Sequence, residues 1–320
     1  MKQLTKFVAA TALACAASAA FAQAFPNKPI RVLLTFSSGG QADLLARMAA
    51  DRMSAALGQP FVVEAKPGAG GNLAMEAVAK APADGYTLVF GTPAVAINGS
   101  LFKKLSYDPV KDLAPISLMA WGPYAVYASA TLPVNNIAEF IAYAKARPGQ
   151  INYASVGIGS GTHLAAVLFA SAAGLQMTHV PYKGIQQAAP DLVSGQVHLT
   201  FNAIGPLAGF LQTGKIKLLA NSGPRRLRAF PDVPTIAESV PGFDAGGWYG
   251  YFGTAGTPRD VLQRLNTELV AVVKHPEIVD RIEKMALFAT PQTLDEAAKF
   301  VAEEAEKWSR AVKVSGATAE

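Results

Sequence analysis

Apolar runs of strand length alternate with segments of helical period along most of this chain, and the alternation begins twice. The first series is "PIRVLLTF" (29–36), "ADLLARMAADRMSAAL" (42–57), "PFVVEA" (60–65), "GNLAMEAVAKA" (71–81) and "YTLVFG" (86–91). In the second of these segments Leu45, Met48, Ala49, Met53, Ala56 and Leu57 recur at helical spacing. The second series opens with "AVYASA" (125–130), "NIAEFIAYAKA" (136–146), "INYASV" (151–156) and "THLAAVLFASAAG" (162–174). It continues with "MTHVPY" (177–182), "IQQAAPDLVSG" (185–195), "VHLTFN" (197–202) and "IKLLANS" (216–222). Such alternation buries a mostly parallel sheet between helices. Two starts predict two α/β lobes and not one long sheet. No linker rich in Ser or Pro separates them, so short crossings are expected near 120–126 and 245–252. Lobe 1 is then expected to be discontinuous, 23–124 with 246–320, and lobe 2 to be 125–245.

The C-terminal part reads as helical. Thr257-Pro258-Arg259-Asp260 is expected to open one helix, with Thr257 as N-cap and Pro258 at the first helical position. Thr293-Leu294-Asp295-Glu296 reads as a capping box for the last helix, whose Phe300, Val301, Trp308 and Val312 can pack back on a lobe.

The first residues point to export. Lys2 and Lys6 precede an apolar stretch, and Ala20-Phe21-Ala22 forms an A-x-A site before Gln23. Residues 1–22 read as a secretory signal peptide cleaved after Ala22. Cys15 is the single cysteine, and Ala12 three residues earlier does not suit a lipoprotein signal. The mature chain therefore has no disulfide and no thiol nucleophile, and its stability rests on core burial. Losing Lys2 and Lys6 takes the formal charge from +5 to +3, too little to suggest nucleic-acid binding. The one basic cluster, "PRRLR" at 224–228, reads as solvated surface. No later apolar stretch is long and unbroken enough to span a bilayer.

Each series carries one strand–glycine loop–helix junction: "TFSSGGQADLLAR" (35–47) and "ASVGIGSGTHLAAV" (154–167). Free N–H groups and the dipole at a helix start make a fixed partial positive charge. Gly39, Gly40, Gly157, Gly159 and Gly161 let backbone approach a ligand, and Ser37, Ser38, Ser160 and Thr162 can add hydroxyl donors. A third segment, "AKPGAGGN" (65–72), repeats the theme. A dinucleotide site is disfavoured: "GIGSG" brings its third glycine one residue early, no Walker lysine follows, and Asp191 sits within a helical segment. Either loop alone could be a plain tight turn. Two of them suggest a clamp closing on a small carboxylate. Neither loop contains arginine, so recognition would rest on backbone and hydroxyl donors.

Enzyme signatures are missing. There is no G-x-S-x-G elbow, and His163, His179, His198 and His275 show no metal spacing. Ser160 and His163 could meet as a hydrolase dyad, but no orienting acid is local. His179 and His198 read as structural histidines in strands. No cofactor is implied. Ligands of open α/β sheets sit beyond the carboxyl ends of the strands. That selects Phe36, Thr92, Pro93, Ala94, Tyr182, Lys183 and Asn202 as further pocket walls, with Trp121 and Trp248 at the crossings as possible cleft floor.

The order of "PNKPIRVLLTF", "GGQADLLAR", "LGQPFVVEAKPGAGG", "APADGYTLVFG", "LSYDPVKDLAPIS", "INYASVGIGSGTHLA", "HVPYKG", "DLVSGQV", "PDVPTIAES" and "GTAGTP" resembles one family. It is that of the periplasmic solute-binding proteins of tripartite tricarboxylate transporters, or Bug receptors. The resemblance runs over roughly 26–316. It implies a type II periplasmic binding fold: two lobes, two crossing strands, closure on the ligand. It implies a small carboxylate ligand, often organic or aromatic, with a dicarboxylate left open, and a two-subunit-type inner-membrane permease as partner. Carried over by position, the binding loops fall on Phe36, Ser37, Ser38, Gly39, Gly40, Gln41 and Asp43, and on Ser155, Gly157, Gly159, Ser160, Gly161, Thr162 and His163, with Asp43 bracing the first.

There are departures. Ser37-Ser38 replaces a common proline pair, and Ala65-Lys66 stands where the family often has asparagine and arginine. Asn202 stands where an aspartate is frequent, which disfavours a ligand amino group there. Phe36, Trp121 and Trp248 leave an aromatic acid open. The expected protein is a monomeric periplasmic receptor that hands a carboxylate to a permease. A second reading presents the same clamp to a sensor-kinase ectodomain, and a minor one is a serine hydrolase using Ser160 and His163.

Overall fold

The computed structural model describes residues 25–36, 38–182, 184–227 and 230–319, the side chain of Pro206 excepted. The signal peptide with its cleavage point, Ser37 and Lys183 lie outside the described residues. The first series folds as β1 (Ile30–Leu34), α1 (Gln41–Leu57), β2 (Phe61–Ala65), α2 (Asn72–Ala79), β3 (Thr87–Gly91) and α3 (Ala94–Leu101). Then come β4 (Leu113–Pro123), β5 (Ala125–Ser129), α4 (Ile137–Lys145), β6 (Ile151–Ser155), α5 (Gly161–Ala173) and β7 (Met177–Pro181). The second lobe continues with α6 (Ile185–Ser194), β8 (Leu199–Asn202), α7 (Ala208–Gln212) and β9 (Ile216–Asn221). The chain ends with β10 (Gly246–Thr254), α8 (Arg259–Lys274), α9 (Pro276–Lys284), β11 (Phe288–Ala289) and α10 (Leu294–Ser315).

Among the described residues these strands form two sheets, ordered β11-β4-β10-β3-β1-β2 and β7-β6-β8-β5-β9. The two-lobe α/β architecture is thus the one the alternation predicts, but the sheets are mixed and not mostly parallel, because β5, β10 and β11 run against their neighbours. β1 is buried at Ile30, Val32, Leu33 and Leu34, as a central parallel strand requires. Its one outward side chain, Arg31, pairs with Glu64 of β2 at 2.8 Å. On α1 the periodic set Leu45, Met48, Ala49, Met53 and Leu57 is buried, and the helix stops where Gly58 turns left-handed at φ 68.

Strand direction decides where a ligand can sit. β1, β2 and β3 are mutually parallel, and β10 runs antiparallel to both β3 and β4. So β4 ends, and β10 begins, at the carboxyl edge of β1–β3. In the second sheet β5 runs antiparallel to β8 and β9, while β6 is parallel to β7 and β8. So β5 begins at the edge where β6, β7, β8 and β9 end. The chain crosses between the sheets at Tyr124 and again after Asn221. The two carboxyl edges therefore confront each other.

The first crossing, at Tyr124, lies within its expected range, while most of the second expected range is strand. Residues 113–123 form the longest strand, and 246–254 pair with it across its length, so 245–252 lies within a sheet. Gly246 and Gly250 conceal that strand in the sequence. At Gly250 a Cβ would lie 2.8 Å from Leu118 Cδ2, so close cross-strand contact demands glycine there. The crossings themselves are tied together. Ser222 N–H donates to Tyr124 O at 2.9 Å, Tyr124 N–H donates to Ser222 Oγ at 2.8 Å, and Ala245 N–H donates to Ser222 O at 3.1 Å.

The capping box at Thr293 forms as expected. The cap at Thr257 does not. Pro258 occupies the N-cap position, α8 starts at Arg259, and the Thr257 hydroxyl donates back to Thr254 O at 2.7 Å. The longest helix, α10, packs on α3 and β4 of one lobe and on α5 of the other. Its Val301, Trp308 and Val312 are buried in a core that also holds Phe169 and Phe201 of the second lobe. No described helix is long and apolar enough to cross a membrane.

Candidate functional site

The first loop leaves β1 and enters α1 at the confronting edge. Phe36, at 47% exposure, is an apolar side chain held out toward solvent, and Ser38, Gly39 and Gly40 are exposed. Asp43, 6% exposed, braces the loop: its Oδ2 accepts Gly39 N–H at 2.9 Å and its Oδ1 accepts Arg47 Nε–H at 2.8 Å. Gly40 is the N-cap of α1 and supplies no side-chain cap. The N–H groups of the first helical turn have no partner inside a helix. The Gln41 carboxamide is already engaged, accepting from Tyr249 Oη at 2.9 Å and donating to Met285 O at 3.2 Å, so Gln41 has its backbone N–H to offer. Beside this loop, β3 ends and Thr92-Pro93-Ala94 opens α3, with Pro93 as N-cap and Thr92 buried.

The third glycine segment lies at the same edge, before α2. Gly71 takes φ 93 against Thr35, where a Cβ would lie 3.0 Å from the Thr35 Cβ. Asn98 of α3 staples the segment by donating to Gly70 O at 3.0 Å and to Asn72 Oδ1 at 2.9 Å.

The second loop is knotted. Ser155, at the end of β6, is buried; its Oγ donates to Gly157 O at 3.0 Å and accepts Gly157 N–H at 3.1 Å. Ser160 donates to Gly157 O at 2.7 Å and caps α5 by accepting His163 N–H at 3.3 Å. Thr162 Oγ1 accepts Val156 N–H at 3.2 Å. Gly157 and Gly159 hold φ 126 and 75, positions that glycine alone takes without strain. Gly159 and Gly161 also have no room for a side chain: a Cβ would lie 2.3 Å from Leu101 Cδ2 and 2.3 Å from Tyr124 Oη, respectively. The loop thus seats against the other lobe and against the crossing.

Two imidazoles complete the knot. His163 Nδ1 accepts Gly159 N–H at 3.0 Å, and His179 Nε2 bonds Ser155 Oγ at 2.7 Å. The rings stack 3.9 Å apart at 13°, with Tyr153 5.0 Å from His179. Burial, with His179 as a second cause, lowers the His163 pKa to about 4, and burial lowers that of His179. Both rings are neutral at pH 7. A hydrolase dyad does not form, because the His163 ring is turned to Gly159 and Ser160 meets only its backbone. His198 Nδ1 accepts Asn152 N–H at 2.9 Å, a structural role as expected.

Tyr182 donates its hydroxyl to Asp191 Oδ2 at 2.6 Å, and burial followed by that carboxylate pushes its pKa up to about 12. Asn202 ends β8 at 6% exposure. Its Oδ1 accepts Ala203 N–H at 2.9 Å, whereas its Nδ2 meets no acceptor. Trp248 is corrected as a stacking surface. Its ring is fully buried, and its Nε1–H donates to Glu304 Oε2 at 2.9 Å beside that of Trp308 at 2.8 Å. Trp121 pairs with it across β4 and β10 and stacks on Phe288, centroids 5.9 Å apart. Of the basic cluster, Arg226 pairs with Glu238 at 2.7 Å and Arg225 lies over Phe288 at 4.3 Å.

A cavity of about 720 Å³ lies behind the second loop, among His163 and Val167 of α5, Met177 and His179 of β7, and Val314 and Thr318. It does not lie between the two glycine loops. The strand directions and the donor at Asn202 place the candidate site between the confronting edges. Sequence reasoning missed Asn221, which ends β9 with the same unpartnered Nδ2; His179 is the structural strand histidine expected, though its tie to Ser155 needs β6 and β7 side by side.

The family model described as "Tripartite tricarboxylate transporter family receptor" matches residues 45–317. Protein BugT of Bordetella pertussis is 31% identical over 97% of this chain and 95% of its own length. A solved structure described as R. palustris Rpa4515 with adipate is 33% identical, with a TM-score of 0.79 over 92% of this chain and 99% of that one. MatC from Rhodopseudomonas palustris, solved with bound malate, is 32% identical, with a TM-score of 0.73 over 90% and 100%.

Proposed function

This chain belongs to the tripartite tricarboxylate transporter receptor family, a family of non-catalytic solute-binding receptors, and from that premise we propose that it captures a small organic carboxylate between its lobes and passes it to a two-subunit-type inner-membrane permease. The mature chain begins at Gln23 and works in the periplasm. Lobe 1 (23–124 with 246–320) and lobe 2 (125–245) are the moving bodies. The first jaw is 36–43 with Thr92-Pro93-Ala94; the second is 155–163 with Tyr182, Lys183 and Asn202.

The observation that carries this reading is the Asn202 amide. It is buried at the carboxyl edge, its oxygen is fixed by Ala203, and its N–H₂ is left without an acceptor. Buried donors are almost always paired, and one left open at a cleft edge suits a ligand oxygen. An aspartate at that place would suit an ammonium instead. Adipate and malate in the solved relatives are acids of the class such donors recognise.

A thermal-shift screen of residues 23–320 against mono-, di- and tricarboxylates, aromatic acids included, tests the proposal. A ligand of the folded state raises the melting temperature by several degrees when in large excess over its Kd. Silence across the whole panel would refute the carboxylate reading.

A further inference from the structure

Asn221 ends β9, and Thr235 of the following segment bridges to it before the chain enters β10 at Gly246. It is 1% exposed. Its Oδ1 accepts Gly223 N–H at 2.9 Å, which fixes the orientation of the amide and leaves Nδ2 as the open end. Asn202 is built the same way, each oxygen tied by the backbone that follows it. Both residues are in register with one residue of β5, Ala125. Residues opposite one another on neighbouring strands share a face of the sheet. The two amides therefore stand on one face, two strand spacings apart, with roughly 10 Å between their Cα atoms. The residue between them carries only a methyl group.

We infer that Asn221 is a second hydrogen-bond donor to the ligand, acting with Asn202, and that the pair selects a linear dicarboxylate over a monocarboxylate or an amino acid. The inference rests on the receptor reading above. A carboxylate offers several lone pairs and can take a donor on each oxygen. A methyl terminus would leave both buried donors unpaired, and an ammonium would meet donors with a donor. The helix starts of the glycine loops take one carboxylate, and the amide pair takes the other. Among the described residues of the basic cluster, Arg226 is held by Glu238 and Arg225 lies over Phe288, so neither replaces it.

The test is calorimetric titration of residues 23–320 at neutral pH with straight-chain dicarboxylates from malonate to pimelate, the matching monocarboxylates and the matching ω-amino acids. The wild type is expected to bind one dicarboxylate at least about 10-fold more tightly than its monocarboxylate. Asn221→Asp keeps the shape and replaces a donor with a charge. It is expected to weaken that dicarboxylate by roughly 10- to 100-fold and to shift preference toward the ω-amino acid. Asn221→Ser, too short to reach, is expected to lose the preference for the dicarboxylate. Preference is a ratio read within one protein, so a partial loss of folded material does not mimic it. A crystal structure of the wild type with its best dicarboxylate needs no variant; there Nδ2 should bond the acid. An unchanged ratio in a folded variant, or an Nδ2 bonded to a buried water instead of the acid, overturns the inference. Equal affinity for mono- and dicarboxylates overturns it while the receptor reading stands. No binding of any acid overturns both.

Discussion

The loop at 36–43 is held by one bracing carboxylate and enters a helix with no side-chain cap, whereas the loop at 155–163 is tied by three hydroxyls and two imidazoles into a helix capped by Ser160. Both are glycine loops at the carboxyl edge of a strand, and the sequence reads them alike. Their glycines show the difference. Nothing lies within 4 Å of a Cβ built at Gly39 or Gly40, while Leu101 and Tyr124 block Gly159 and Gly161. Lobe 2 therefore presents a preformed wall, and lobe 1 presents backbone donors that a ligand can complete. The proposed clamp would then have one fixed jaw and one adaptable jaw.

The largest expected effect breaks the fixed jaw. Gly159→Ala must adopt φ +75 and drive Cβ to 2.3 Å from Leu101 Cδ2. Left-handed strain and overpacking together cost about 3 kcal/mol. The melting temperature should fall by several degrees, and ligand affinity should fall with it. In a double-mutant cycle Leu101→Ala should remove the overpacking part alone. Additive effects of the two changes would mean that the loop and α3 do not touch.

Next in size is an acid response confined to lobe 2. The His163 pKa is lowered from 6.5 to about 4 when folded. Between those values the unfolded chain holds more protons on this group, so stability is complete above about pH 6.5 and falls as pH drops toward 4. The loss is at most on the order of 3 kcal/mol. Protonation at Nδ1 would also turn the acceptor of Gly159 N–H into a donor. Urea melts at pH 7 and pH 4.5 should show His163→Gln with a flatter pH dependence than the wild type. Equal slopes would remove His163 from the account.

How much of this was legible in the sequence follows from what periodicity reports. The strands β1–β3 and β5–β9 and the helices α1, α2, α4, α5 and α6 announce themselves because their apolar residues keep a period of 2 or 3.6 or a short unbroken run. β4 and β10 do not, because "LAPISLMAWGP" and "GGWYGYFGT" carry Pro and Gly inside strands. Those two residue types usually end strands, and only close pairing makes them tolerable here. The glycine loops were readable as candidate sites from residue type. The direction of the Trp248 indole was not, since it depends on Glu304, 56 residues away. Nor was the inferred role of Asn221, which depends on strand register and on an amide whose oxygen is already used. Side-chain orientation at a strand end is a tertiary fact, and local sequence does not contain it.

A smaller effect probes the brace of the adaptable jaw. Asp43→Asn removes the charge that Arg47 Nε–H and Gly39 N–H both meet. Arg47 is half exposed, so solvent screens part of the loss. A stability change of about 1 kcal/mol is expected. Affinity should fall by more than that figure implies, because a loop without its brace must be ordered by the ligand. Calorimetry of the variant should show a less favourable binding entropy. A loss of stability with binding untouched would make Asp43 a structural brace only.

The smallest expected effect is also the sharpest test of the comparison. Gly40→Ser places a hydroxyl at the N-cap of α1, at φ −84 and with no neighbour within 4 Å. It copies onto lobe 1 the cap that Ser160 gives lobe 2. A serine N-cap satisfies one first-turn N–H and stabilises a helix by only about 0.3 kcal/mol relative to glycine. If the first jaw works through uncapped backbone donors, that same bond competes with the ligand. The variant should then melt slightly higher without ligand and bind the carboxylate more weakly, two changes of opposite sign from one oxygen. If it melts higher and binds as well as the wild type, the α1 terminus is not a donor to the ligand, and the asymmetry between the loops is a matter of packing alone.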